Sequence, residues 1–118
     1  MSWFIGYYQS KSGRRPVEDF IDSIDKKAQA KVARTLDLLE EFGIQLGMPY
    51  ARHLEKDLWE LRIRQAGNRY RIIYFLVTGK EFILLHGFMK KTGTVSRKDI
   101  EVADRRRNEF LSGRKQGI

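Results

Sequence analysis

The sequence predicts an α+β domain, and three observations carry that expectation. Two helix-period segments lie close together near the start, three apolar runs of strand length follow one another through the middle, and a last helical pattern closes the chain. Trp3 to Tyr8 is aromatic and aliphatic and ends at the turn-like cluster Gln9-Ser10-Lys11-Ser12-Gly13, so a strand and then a loop are expected. Pro16 suits a first helical position. Val17, Phe20, Ile21 and Ile24 then recur at helical spacing, with Glu18 and Asp19 in the first turn, where the helix dipole favours acids. A second helix is expected from about Lys26 to Phe42, with Val32, Leu36 and Leu39 on one stripe and Gly43 as its C-cap. Gly47-Met48-Pro49-Tyr50 breaks that pattern. It leads into runs around Leu58 to Arg64, Tyr70 to Val77 and Phe82 to Met89, joined by short glycine-containing turns, which read as an antiparallel meander. Ser96-Arg97-Lys98-Asp99 has the form of a capping box, and Ile100, Ala103, Phe110 and Leu111 share one side of the helix it would start. The expected order is βααβββα: an antiparallel sheet of about four strands packed with an N-terminal helical hairpin and a C-terminal helix.

At 118 residues the chain suffices for one core and not for two ordinary ones, so residues 1–118 are read as a single domain. A formal net charge of +8 favours a polyanionic or strongly acidic partner: RNA, DNA, a ribosome or an acidic protein. With no cysteine, disulfides and thiolate metal sites are excluded, and His53 and His86 alone argue against a protein zinc site. No metal or cofactor is expected. The opening residues lack a basic segment followed by a long apolar one, and no run reaches the roughly 20 apolar residues of a membrane span, so a cytoplasmic protein without membrane contact is expected.

The feature that points to chemistry is the placing of arginines inside strand-like runs. In Leu58-Trp59-Glu60-Leu61-Arg62-Ile63-Arg64, alternation sends Leu61 and Ile63 into a core and brings Arg62 and Arg64 out together on the other face. Arg71 lies in the next run, and Lys90-Lys91 ends the third. A burial cost of several kcal/mol or more for an unpaired charge makes such a face either exposed or matched to an anion. A phosphate-binding sheet surface is the expectation.

Leu58-Trp59-Glu60-Leu61-Arg62, Tyr70-Arg71-Ile72-Ile73-Tyr74 and His86-Gly87-Phe88-Met89-Lys90-Lys91-Thr92, in that element order, resemble the RelE/ParE superfamily of toxin-antitoxin toxins, with the HigB-like, phage-derived branch as the nearest likeness. The resemblance covers nearly the whole chain, and Leu58 to Lys91 is its specific part. It implies a RelE-like fold and a type II toxin that binds the ribosomal A site and cleaves messenger RNA. It also implies neutralisation by a cognate helix-turn-helix antitoxin, with higher-order toxin-antitoxin complexes as a further expectation. In the cleavage so implied, the RNA 2′-hydroxyl attacks its own adjacent phosphate, without a metal. The reaction then needs a base, cations for the growing phosphate charge and an acid for the leaving 5′-oxygen. Arg62, Arg64 and Arg71 suit the second task because guanidinium stays charged and grips phosphate with two prongs. Arg71 and Lys91 match the family's basic positions and carry the strongest expectation. A lysine crowded by cations, or His86, can move protons. Lys90, Arg69, Lys56 and Arg106 are read as RNA-binding.

The chain departs from RelE in two places: no aromatic stands between Lys91 and Phe110, and Glu60 and Arg62 replace the paired lysines of the second strand. Base stacking then falls to His86, Phe88 or Trp59. Plainer readings stand beside these. Arg62 and Arg64 can be a solvated face, Trp59 a core residue, His53 a polar loop residue, and Arg105-Arg106-Arg107 a solvated helix side that would at most bind ribosomal RNA. Gly67, Gly79 and Gly87 serve turns or close packing. The rival functions are a ParE-like gyrase inhibitor that cuts no RNA and a non-catalytic basic binding module.

Overall fold

The structure, a computed structural model, describes residues 2–91 and 93–116. Thr92, the last residue of the third resemblance motif, and the chain's final two residues lie outside them. The elements are β1 (Phe4–Tyr7), α1 (Pro16–Ser23), α2 (Lys26–Phe42), a 3-10 turn (Gly43–Gln45), β2 (Ala51–Glu55), β3 (Leu58–Gln65), β4 (Asn68–Leu76), β5 (Glu81–Lys90) and α3 (Arg97–Gln116).

The helix signals act as the sequence suggests. Pro16 opens α1, and Glu18 and Asp19 sit in its first turn. The Asp25 carboxylate caps α2 by accepting the Ala28 N–H at 2.8 Å. Gly43 ends α2 with φ at +56°, and a Cβ there would also strike the Trp3 indole at 1.9 Å. Both the backbone and the packing therefore demand glycine. Gly67 and Gly79 take positive φ in turns. Gly87 lies under Phe20, where a Cβ would meet the ring at 2.4 Å, so α1 can settle directly on β5.

The sheet departs from the expectation twice. It has five strands in the order β1-β5-β4-β3-β2, and β1 runs parallel to β5, so the sheet is mixed. The parallel pairing joins the first strand to the last, and no local pattern announces a contact so distant in sequence. The unexpected strand, β2, is short, sits at an edge and carries exposed Arg52 and His53, with a bulge between His53 and Glu55. Its polar residues hid it among loop residues. The strand-forming order is thus βααββββα.

Both faces of the sheet are packed. On one, Val17, Ala28, Val32 and Leu39 of the helical hairpin meet Leu61, Ile63, Tyr70, Ile72, Tyr74 and Leu84. Trp59 is half-buried against this core, with His53 edge-on at 4.9 Å, in keeping with the packing reading of the tryptophan. On the other, Ala103 of α3 meets Leu58, Ile73, Phe75, Ile83 and Leu85. A bulge where β4 and β5 pass Ile73 and Tyr74 leaves Leu85 without a register partner. Two successive side chains, Leu85 and His86, consequently face α3, which simple alternation forbids. Among the described residues no helix is long and apolar enough to cross a membrane.

Candidate nucleic-acid interface

Cross-strand register assembles the site on the α3 side of the sheet, beyond the start of α3. Three rows cross β3, β4 and β5: Glu60, Ile73 and His86; then Arg62, Arg71 and Phe88; then Arg64, Arg69 and Lys90. Alternation puts all nine side chains on one face. Arg52 of β2 stands opposite Glu60.

Like charges directly opposite one another repel, and the first cationic row answers that repulsion internally. Glu60 is fully buried. Arg62 Nη1 donates to its Oε2 at 2.9 Å, and Arg71 Nε stands 3.3 Å from its Oε1, near enough for charge attraction but out of hydrogen-bond alignment. Arg71 is itself 3% exposed, and its Nη1 donates to the Tyr70 carbonyl. Burial pulls its proton affinity below the usual arginine range, Arg62 adds to that, and Glu60 opposes it. Glu60 therefore holds Arg62 at the surface and keeps Arg71 charged underneath.

The outer row has no such counter-ion. Among the described residues Arg64, Arg69 and Lys90 form no ion pair. The Lys90 ammonium is pushed below the ordinary lysine range, first by desolvation and then by Arg71. Three cations in register without a carboxylate form a surface that gains by binding an anion with several oxygens.

His86 borders this field from the α3 side. Its Nε2 lies 2.8 Å from Asp99 Oδ1, and its ring stacks on Phe88 with centroids 5.1 Å apart. Asp99 is held in turn by the capping box anticipated from the sequence: its N–H donates to Ser96 Oγ, and Ser96 Oγ–H donates to its second carboxylate oxygen. With Nε2 donating to Asp99, Nδ1 is left as an acceptor. Burial lowers the imidazole's proton affinity, and Asp99 works against that change.

The structure gathers Arg62, Arg64, Arg69, Arg71 and Lys90 and sets His86 at their margin. Lys91 follows the end of β5 and is exposed. Lys56 stands in the β2–β3 turn, at the opposite end of β3 from Arg64, where its carbonyl meets the His53 ring at 2.6 Å. Arg106 donates to the Leu85 carbonyl at 2.9 Å and lies over the Tyr8 ring, so it fastens α3 to the sheet. Arg107 pairs with Asp57 and Asp104, leaving Arg105 as the exposed member of that run. Sequence reasoning missed the roles of Glu60, Asp99 and Arg52. Alternation alone places Glu60 beside Arg62, whereas its approach to Arg71 is diagonal across two strands and needs the register.

A family model described as Phage derived protein Gp49-like (DUF891) matches residues 19–108. That span runs from within α1 into α3 and includes every residue of the three rows. No curated protein matches the chain.

Proposed function

The chain belongs to the Gp49-like family of phage-derived proteins, within the RelE/ParE-like toxin superfamily, and on that premise we propose that it is a type II toxin that cuts messenger RNA at the ribosome. Its mixed sheet and three helices are compatible with a RelE-like fold. The family suggests an antitoxin partner; a helix-turn-helix antitoxin, encoded beside the toxin, is the partner proposed.

The observation that carries the nuclease reading is the row Arg64, Arg69 and Lys90, without an ion pair among the described residues, next to a row whose two arginines share the Glu60 carboxylate. A protein-binding toxin has no need of unpaired cations converging on one patch of sheet. Arg62, Arg64 and Arg69 grip the non-bridging oxygens of the scissile phosphate and oppose its growing charge. Arg71 acts through Glu60 and Arg62 as a positioning residue, since its burial keeps it from the surface. His86 and Lys90 flank Phe88 on the same face of β5, each two residues away, or about 6.6 Å along the strand. His86 Nδ1 takes the 2′-hydroxyl proton as that oxygen attacks phosphorus. Lys90 Nζ gives a proton to the 5′-oxygen as the phosphorus–oxygen bond breaks, leaving a 2′,3′-cyclic phosphate and a 5′-hydroxyl. Phe88 offers a ring for stacking a base, and Lys91 touches a flanking phosphate.

The test is controlled expression of the wild type and an Arg64→Ala, Lys90→Ala variant in bacteria, with growth followed and messenger RNA 5′ ends mapped. Growth arrest with new cuts inside translated frames, both lost in the variant, is expected. Arrest without cuts would transfer the reading to a protein target such as gyrase, and no arrest would leave a binding module.

A further inference from the structure

The same cations border a second feature, a groove of about 440 Å³ between α2 and the outer edge of β3. It exists because β2 pairs with β3 only as far as Ala51 opposite Leu61, with one further bond from the Arg62 N–H to the Tyr50 carbonyl. Past that point the β3 edge has no strand beside it. Lys31, reaching over from α2, donates to the Arg64 carbonyl at 3.1 Å. An ammonium has three N–H donors, so this bond leaves two for a ligand.

The lining is uniformly cationic in its charges: Lys31 and Arg34 from α2, Arg62 and Arg64 from β3, and Arg71 from β4, with no carboxylate among the described residues that form it. Arg34 is exposed and forms no ion pair among those residues. Three surface arginines elsewhere are matched, Arg14 with Asp19, Arg15 with Glu18 and Arg97 with Glu55. The Tyr50 ring, 43% exposed, stands at the groove. Unmatched cations joined to an exposed aromatic are what a single nucleic-acid strand uses: charge for its phosphates and a face for a base.

We infer that this groove is a second phosphodiester subsite, which takes the RNA strand over the β3 edge and away from the phosphate gripped on the sheet. Arg62 and Arg64 belong to both surfaces, with Arg71 buried beneath them, so the strand passes from one to the other without crossing a negatively charged side chain. Lys31 and Arg34 bind and do not catalyse. This inference rests on the RNA reading above.

The test measures binding of labelled, 2′-O-methylated single-stranded RNA of about 4 and about 12 nucleotides, spanning the site sizes usual for such surfaces. Wild type, Lys31→Gln/Arg34→Gln and Arg34→Gln alone are compared over a salt series. Because Arg34 forms no hydrogen bond or ion pair among the described residues, the single variant guards against a folding artefact. The longer RNA is expected to lose affinity in both variants. Its log–log salt slope should become shallower by about 1.4 in the double variant and by about 0.7 in the single one, at roughly 0.7 per lost phosphate contact. Binding of the short RNA should be unchanged. Equal slopes and affinities for the longer RNA in all three proteins overturn the groove and leave the cleavage reading standing. So does a variant that keeps RNA but loses an acidic peptide, which would assign the groove to protein. Failure of the wild type to bind either RNA overturns the groove as a strand-binding subsite, while cleavage at the ribosome is judged separately by the termini of programmed messenger RNA.

Discussion

The α3 side of the sheet consists of two surfaces built on the same three strands. Toward one end, Leu58, Ile73, Phe75, Ile83 and Leu85 are dry beneath α3. Toward the other, Arg62, Arg64, Arg69 and Lys90 occupy equivalent alternate positions with no helix over them. The change from one to the other takes four or five residues on each strand, and the residues at the border mediate it: Glu60 binds the nearest arginines, and Asp99 ties His86 to the first turn of α3. Covering the whole face would have buried uncompensated cations, which no packing gain offsets. The helix therefore stops where the charge begins, and the fold leaves an open cationic surface on an otherwise ordinary sheet.

If that border is electrostatic, removing Glu60 should do the most damage. Glu60→Leu leaves Arg71 buried without its carboxylate and should cost about 3–5 kcal/mol in urea unfolding, whereas Glu60→Leu/Arg71→Leu should recover most of that loss. A double variant as unstable as the single one would show that the pair does not set the border. In the covered half, Leu85→Ala should cost about 2–5 kcal/mol through transfer and cavity terms, with a proportionate fall in melting temperature and no change in RNA affinity at temperatures where the protein is folded.

Asp99→Ala should cost about 1–2 kcal/mol, since it removes the carboxylate that accepts from both the Ser96 hydroxyl and the His86 ring. The border also has a pH signature. His86 binds its proton more weakly in the folded protein than at the ordinary value of 6.5. The unfolded chain therefore takes up more protons just below that value, so stability should decline as pH falls through 6.5 toward the lowered folded value. His86→Gln should flatten this stretch of the stability–pH curve. Arg64→Ala should change stability least, by no more than about 0.5 kcal/mol, because the side chain is exposed and forms no ion pair among the described residues, yet it should weaken RNA binding clearly. A large stability loss here would mean that the open half is structural after all.

Much of this was legible in the sequence for identifiable reasons. Pro16, Gly43 and the Ser96 to Asp99 box mark helix ends because they satisfy local backbone needs, and the alternation of Leu61, Arg62, Ile63 and Arg64 names the cationic face directly. What escaped depends on partners distant in sequence. The β1–β5 pairing joins the two edges of a long excursion through both hairpin helices, and β2 carries too few apolar residues to look like a strand. Arg71 read as a surface cation because the carboxylate that lets it be buried lies diagonally across the register. Lys90 rather than Lys91 falls in the row with Arg69 because β5 keeps its pleat through residue 90, a matter of strand phase that the adjacent lysines alone leave open.

The most direct test incubates purified protein with ribosomes programmed with a defined messenger RNA and identifies the new termini. Cleavage within the translated frame, with a 2′,3′-cyclic phosphate on one product and a 5′-hydroxyl on the other, is expected from the wild type and should be lost in Arg64→Ala/Lys90→Ala. Intact messenger RNA after incubation with folded wild-type protein would contradict the assignment of the open cationic surface as a cleavage site.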